Sequence, residues 1–166
     1  ERGVSEEEIK NAPQSWDIIG EIALVQFSEK CTIKKEVGEC LIELHDIKTV
    51  LSRAGIEGSQ REPTVKCVAG VEGTRTTHTE WGAKYSLDLS EVMFSPGNRG
   101  ERKRMGKVVD RRECVLDMFA GIGYFSIPMS ISGAEVIAVE KNAVAMRYLK
   151  ENIRLNHIGE NLYPIR

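Results

Sequence analysis

The chain has 166 residues, 41% of them hydrophobic, and its 23 Lys and Arg against 25 Asp and Glu leave a net charge of −2. That composition excludes wholesale disorder and collagen-like repeats, and no apolar run approaches the ~20 residues of a membrane-spanning helix. The acidic start, Glu1 to Lys10, shows no secretion signal, and Cys31, Cys40, Cys67 and Cys114 form no C-x-x-C pair or zinc spacing, so reduced thiols, a cytoplasmic setting and no metal are expected.

Ser5-Glu6-Glu7-Glu8 has the S-x-x-E form of a capping box and predicts a short helix that Pro13 stops. Ile18 to Phe27 is rich in Ile, Val and Leu and predicts one strand, with Gly20 as a bulge. Ile33, Val37, Leu41 and Leu44 recur every three to four residues and mark a helix that Gly38 weakens. A strand over Ile47 to Leu51 and a loop bracketed by Gly55, Gly58 and Pro63 follow. Val65 to Ala69, Thr76 to Glu80 and Lys84 to Leu89 predict antiparallel strands, with the turn at Trp81-Gly82 before the last. Tyr85, Leu87 and Leu89 face one way, Lys84, Ser86 and Asp88 the other. Short strands without intervening helices describe an α+β unit, assigned to residues 1–97.

Phe94-Ser95-Pro96-Gly97-Asn98 is a loop signal, and Asn98 is placed to cap a helix reaching about Val109, with Met105, Val108 and Val109 inward. Between Arg99 and Glu113, Arg99, Arg102, Lys103, Arg104, Lys107, Arg111 and Arg112 stand against Glu101, Asp110 and Glu113, which is net +4, so the rest of the chain is −6. Such a stripe suits phosphates, and a solvated helix face is the plainer alternative. Next come a strand (Cys114–Met118, Cys114 in the core), a glycine turn (Ala120–Gly123) and a helix (about Tyr124–Ser132). A strand (Glu135–Val139), a helix (about Ala143–Asn156) and a strand from Leu162 to Ile165 complete the chain. This order is the opening half of a doubly wound parallel sheet, assigned to residues 98–166. With no initiator Met and a strand at its end, the chain is expected to belong to a longer protein whose further strands follow Arg166.

The turn Asp117-Met118-Phe119-Ala120-Gly121-Ile122-Gly123-Tyr124-Phe125 lies at the carboxyl end of a parallel strand, where open α/β sheets bind nucleotides. Glycine at 121 and 123 admits a ligand that a Cβ would block. Glu140 ends the next strand, seventeen residues beyond Gly123, a spacing that suits a carboxylate accepting from two ribose hydroxyls. The third glycine position of a pyrophosphate loop is Ser126 here, and Asp117 would repel pyrophosphate. A sulfonium-bearing cofactor fits that carboxylate better, which favours S-adenosylmethionine over NAD.

This loop, continued through Ser126-Ile127-Pro128, resembles the cofactor loop of a family of tRNA position-37 modifying enzymes. The family comprises the guanine-37 N1-methyltransferases of archaea and eukaryotes and the wybutosine-pathway 4-demethylwyosine(37) C7 aminocarboxypropyltransferases. Phe94-Ser95-Pro96-Gly97-Asn98 with Glu101-Arg102 is similar to the segment before their catalytic domain. Ile18-Ile19-Gly20-Glu21-Ile22-Ala23 and Leu87-Asp88-Leu89 resemble their preceding domain, and the resemblance spans roughly Trp16 to Asn156. It implies a Rossmann-like class I S-adenosylmethionine-dependent transferase fold behind a small α+β domain, with tRNA at position 37 of the anticodon loop as partner. Tyr124, Glu140-Lys141-Asn142 and Ser95-Pro96-Gly97-Asn98 are similar to the aminocarboxypropyltransferase branch, and Ala143 departs from both branches.

The resemblance further implies that Glu140 takes the ribose diol and that Ser95 and Arg102 hold the methionine carboxylate. Phe119, Gly121, Gly123 and Tyr124 would line the adenosine pocket, while Lys103 and Lys107 would meet RNA. No catalytic side chain is singled out. The family's next cofactor contact and its base-binding motif fall beyond Arg166, so this segment alone is expected to be inactive. The competing readings are a guanine-37 N1-methyltransferase on the same scaffold and a non-catalytic RNA-binding module. Trp16, Trp81, His45, His78 and His157 read as packing, turn, strand or helix-end residues.

Overall fold

The computed structural model describes residues 4–57 and 62–166. The chain divides into two compact units, Glu1–Thr76 with Asp88–Phe94 and Thr77–Leu87 with Ser95–Arg166.

In the first unit, α1 (Glu6–Lys10) starts at the expected capping box: Glu8 N donates to Ser5 Oγ at 3.3 Å and Ser5 N to Glu8 Oε2 at 2.9 Å. The single strand expected over Ile18 to Phe27 is instead an antiparallel pair, β1 (Trp16–Ile19) and β2 (Ile22–Val25). Gly20 adopts φ 58° and reverses the chain, so it is a turn residue rather than a bulge. Helix α2 (Lys34–Leu44) crosses over to β3 (Thr49–Glu57), which runs parallel to β2, and β4 (Glu62–Gly70) returns antiparallel. The sheet order is β1-β2-β3-β4. Strand β3 runs through Gly55 where a loop was expected, and Gly58 lies outside the described residues.

All four residues of β2 are buried, the strand lying between β1 and β3, and α2 packs on β3 and β4. Ala23, Val25, Phe27, Cys31, Leu41, Ile47, Val50 and Ala69 form this unit's core. Gly38 has a packing reason: a Cβ there would lie 2.6 Å from Ala69 Cβ on β4, so only glycine lets α2 settle this close to the sheet.

The second unit takes up most of the hairpin formed by β5 (Arg75–Glu80) and β6 (Ala83–Asp88). The sequence grouped this hairpin with residues 1–97. Trp81 and Gly82 at its turn have φ 51° and 87°, the left-handed pair that a two-residue hairpin turn requires. Ser86 is buried although alternation pointed it outward, because the helix α5 (Ala143–Leu155) covers that side. Asn152 Oδ1 accepts from Ser86 N at 2.7 Å, and Asn156 Oδ1 from Lys84 N at 2.8 Å.

A 3-10 turn at Pro96–Asn98 leads into α3 (Arg99–Val108). Asn98 occupies the N-cap position without a side-chain cap bond; at φ −87° and ψ 7° it lacks the extended geometry that such a bond needs. The buried residue of α3 is Arg102, and Val108, expected inward, is exposed. Then β7 (Cys114–Asp117), α4 (Ser126–Ile131), β8 (Glu135–Val139), α5 and β9 (Leu162–Ile165) build a parallel sheet of order β7-β8-β9, the expected half of a doubly wound fold. Cys114 is exposed rather than in the core, since it starts β7, the strand at this sheet's edge.

Candidate functional site

Strands β7, β8 and β9 end side by side at Asp117, Val139 and Ile165. The residues just past those ends, Met118, Phe119, Glu140, Lys141 and Arg166, together with Val139, line an opening of about 390 Å³. Phe119 is 83% exposed, an apolar ring held out beside a carboxylate. Both Glu140 oxygens are engaged by backbone: Gly121 N donates to Oε2 at 2.8 Å and Asn142 N to Oε1 at 2.6 Å. Asn142 Oδ1 in turn accepts from Val144 N at 2.8 Å and Ala145 N at 3.3 Å, which caps α5. The Glu140-Lys141-Asn142 sequence therefore fixes the carboxylate between the glycine turn and the start of α5.

Glycine at 121 and 123 serves this turn differently from the sequence expectation. Gly121 and Gly123 have φ 57° and 100°, conformations that L side chains rarely adopt. The space beside them is taken by the protein itself: a Cβ on Gly121 would lie 2.5 Å from Tyr124 Cε2, and one on Gly123 would lie 2.6 Å from Ile127 Cδ1. Tyr124 thus packs on the turn, and burial pushes its phenol pKa up. Asp117 ties the turn to α4: its Oδ2 accepts from Ser126 Oγ at 2.6 Å and its Oδ1 from Phe119 N at 3.2 Å.

Phe119, Gly121 and Glu140 come together at the strand ends, whereas Ser95 and Arg102 do not line that opening and meet each other instead. Arg102, 2% exposed, gives its fork to Glu80: Nε donates to Oε2 at 2.6 Å and Nη2 to Oε1 at 2.9 Å. Its Nη1 donates to the Ser95 carbonyl at 3.0 Å. Where a cofactor carboxylate was expected to meet Arg102, a carboxylate of the chain itself is in place. Burial alone would raise the Glu80 pKa, but hydrogen bonds from Arg102 and His78 outweigh it and hold the carboxyl below its ordinary value. Sequence reasoning missed Glu80, although Thr76, His78 and Glu80 share the inward face of β5, an unusual polar set on that side. It also missed the fully buried Asn152.

Arg99, Lys103 and Lys107 recur every four residues and share a face of α3. Lys103 Nζ sits 3.5 Å from the centroid of the Trp81 ring, and the Arg99 guanidinium carbon 4.9 Å. Lys103 and Lys107 also border a cavity of about 160 Å³ shared with Trp81, Pro128 and Ile131. On the same helix Arg104 is neutralised by Glu101 at 2.6 Å. Among the described residues no cluster of His, Cys, Asp and Glu forms a metal site, and no helix is long and apolar enough to cross a membrane.

Residues 76–166 match the family described as the TRM5/TYW2 methyltransferase domain, and residues 1–74 match the TYW2 N-terminal domain. The chain is 40% identical over 159 residues to the tRNA(Phe) (4-demethylwyosine(37)-C(7)) aminocarboxypropyltransferase of Pyrococcus horikoshii, covering 95% of this chain and 57% of that protein. It is also 40% identical over 156 residues to the tRNA (guanine(37)-N(1))-methyltransferase Trm5b of Pyrococcus abyssi, covering 92% of this chain and 47% of that one. The crystal structure of P. horikoshii TYW2 in complex with MeSAdo superposes with a TM-score of 0.82 at 36% identity, over 99% of this chain and 60% of that one. The chain thus spans about half the length of the curated relatives it matches.

Proposed function

Since the chain belongs to the TRM5/TYW2 family, we propose that the full-length protein transfers the 3-amino-3-carboxypropyl group of S-adenosylmethionine to C7 of 4-demethylwyosine at position 37 of tRNA(Phe). The observation that carries the choice of branch is the TYW2 N-terminal domain match over residues 1–74. Overall identity does not decide, because the two branches stand at 40% each. Tyr124 and Glu140-Lys141-Asn142 support the same branch.

When bound, S-adenosylmethionine supplies an aminocarboxypropyl group activated by its sulfonium. The chain's own residues fit that ligand. Glu140 is fixed by two backbone N–H groups and retains lone pairs for the ribose hydroxyls. Phe119 presents an exposed ring to the adenine, and Asp117 places negative charge near a cationic donor. Gly121 aims Glu140, while Gly123 and Tyr124 shape the turn. Ser95 is the contact to the methionine carboxylate, and Arg102 serves it by holding the Ser95 carbonyl.

The face of α3 with Lys103 and Lys107 is the RNA contact, with Arg99 and Lys103 gathered on Trp81. The four free cysteines fit a cytoplasmic enzyme.

The test uses full-length protein, tRNA(Phe) carrying 4-demethylwyosine, and cofactor labelled at either the carboxyl or the methyl carbon. Carboxyl label should enter tRNA with release of methylthioadenosine, and methyl label should not. Methyl label in guanine-37 with release of S-adenosylhomocysteine would assign the methyltransferase instead. Binding of tRNA without either product would leave a non-catalytic module.

A further inference from the structure

The glycine turn leaves backbone carbonyls that neither a helix nor a sheet ladder can satisfy, and buried carbonyls need donors. Side chains supply them. Tyr85, fully buried on β6, donates its hydroxyl to the Tyr124 carbonyl at 3.2 Å. Asn152 Nδ2 donates to the Ile122 carbonyl at 3.1 Å while its Oδ1 accepts from Ser86 N on β6. Glu80, at the end of β5, holds Arg102, whose Nη1 reaches the Ser95 carbonyl. Three hydrogen-bonded lines thus run from one hairpin to three carbonyls, and each carbonyl lies in or beside a segment assigned to the cofactor.

We propose that Tyr85, Asn152 and Glu80 are positioning residues for the cofactor segment: they set the affinity for S-adenosylmethionine without touching it. The inference rests on the function proposed above. The Gly121 N–H that aims Glu140 belongs to the same turn as Ile122 and Tyr124, so holding those two carbonyls holds the amide. A turn released from the hairpin samples conformers in which Glu140 is misaimed, and apparent affinity falls by the fraction that remains competent. Asn156 is the natural control. Its side chain clamps the same hairpin through Lys84 N and Lys84 O at 2.8 and 2.7 Å but reaches no carbonyl of the turn.

The experiment uses the full-length protein with Tyr85→Phe and Asn156→Ala. Cofactor affinity is measured by calorimetry, cofactor KM and kcat are measured on tRNA, and melting is followed without ligand. Loss of one neutral hydrogen bond predicts that Tyr85→Phe raises Kd and cofactor KM by about 3- to 10-fold, with kcat at saturating cofactor and KM for tRNA held. Asn156→Ala should lower the melting temperature yet keep the wild-type Kd. Hydrogen exchange at Gly121 to Tyr124 should quicken in ligand-free Tyr85→Phe and not in Asn156→Ala. A wild-type Kd in Tyr85→Phe, or equal weakening in Asn156→Ala, overturns the positioning role while the proposed function stands. Absence of cofactor binding by the wild type overturns both.

Discussion

Glu140→Gln is nearly isosteric, yet the structure makes it a severe change. Both carboxylate oxygens accept backbone N–H groups, from Gly121 at 2.8 Å and from Asn142 at 2.6 Å. Glutamine offers one oxygen and one NH2. Whichever way the amide turns, one backbone donor faces another donor. A carboxylate has about four acceptor sites, of which two serve the backbone and two remain for a ribose diol. The amide oxygen has about two, one already committed to the backbone. At least one ribose hydroxyl therefore loses a charged acceptor, a loss of about 1.5–3 kcal/mol. At ~1.4 kcal/mol per decade, cofactor affinity should fall roughly 10- to 150-fold. Calorimetric titration of the full-length protein measures this, with circular dichroism to show that the variant is folded. The orphaned backbone donor should also lower stability by about 1–3 kcal/mol. Wild-type affinity in a folded Glu140→Gln protein would refute the reasoning and reduce Glu140 to a strand-end acid.

Three further outcomes follow from the same geometry. Lys103→Ala with Lys107→Ala should make the slope of log tRNA affinity against log salt shallower by about one to two units, read by filter binding across a salt series. An unaltered slope would mean that these lysines only solvate α3. Gly38→Ala should destabilise the protein by up to about 2 kcal/mol in denaturant melts, because an overpacking cost of about 1–3 kcal/mol against Ala69 outweighs the ~1 kcal/mol gain in helix propensity. The Glu80 carboxyl is held below its ordinary value of 4.5, so its contribution is full above that value and is lost as pH falls through its folded value. From about pH 6 to about pH 3, wild type should therefore lose more stability than Glu80→Gln, and parallel profiles would refute the assignment.

Local chemistry was readable from the sequence wherever the interacting groups are close in the chain. The Ser5–Glu8 capping box, the α2 face and the alternation of strands and helices from Cys114 to Ile165 depend on caps and periods of a few residues. That Phe119, Gly121 and Glu140 lie close together was likewise legible, because a single strand-helix-strand unit brings a turn and the next strand's end together. Long-range contacts decided the rest. Period and propensity cannot tell a bulge at Gly20 from a turn, or a weakened helix at Gly38 from one seated on Ala69. The row of arginines and lysines on α3 suited phosphates or a cofactor carboxylate, and only a hairpin 22 residues upstream shows Glu80 against Arg102. Asn152 reads as one more polar helix residue until Ser86, 66 residues away, and the Ile122 carbonyl claim its two ends. A charge or an amide tolerates burial only when a partner meets it, and where that partner lies on another element the fold alone supplies it.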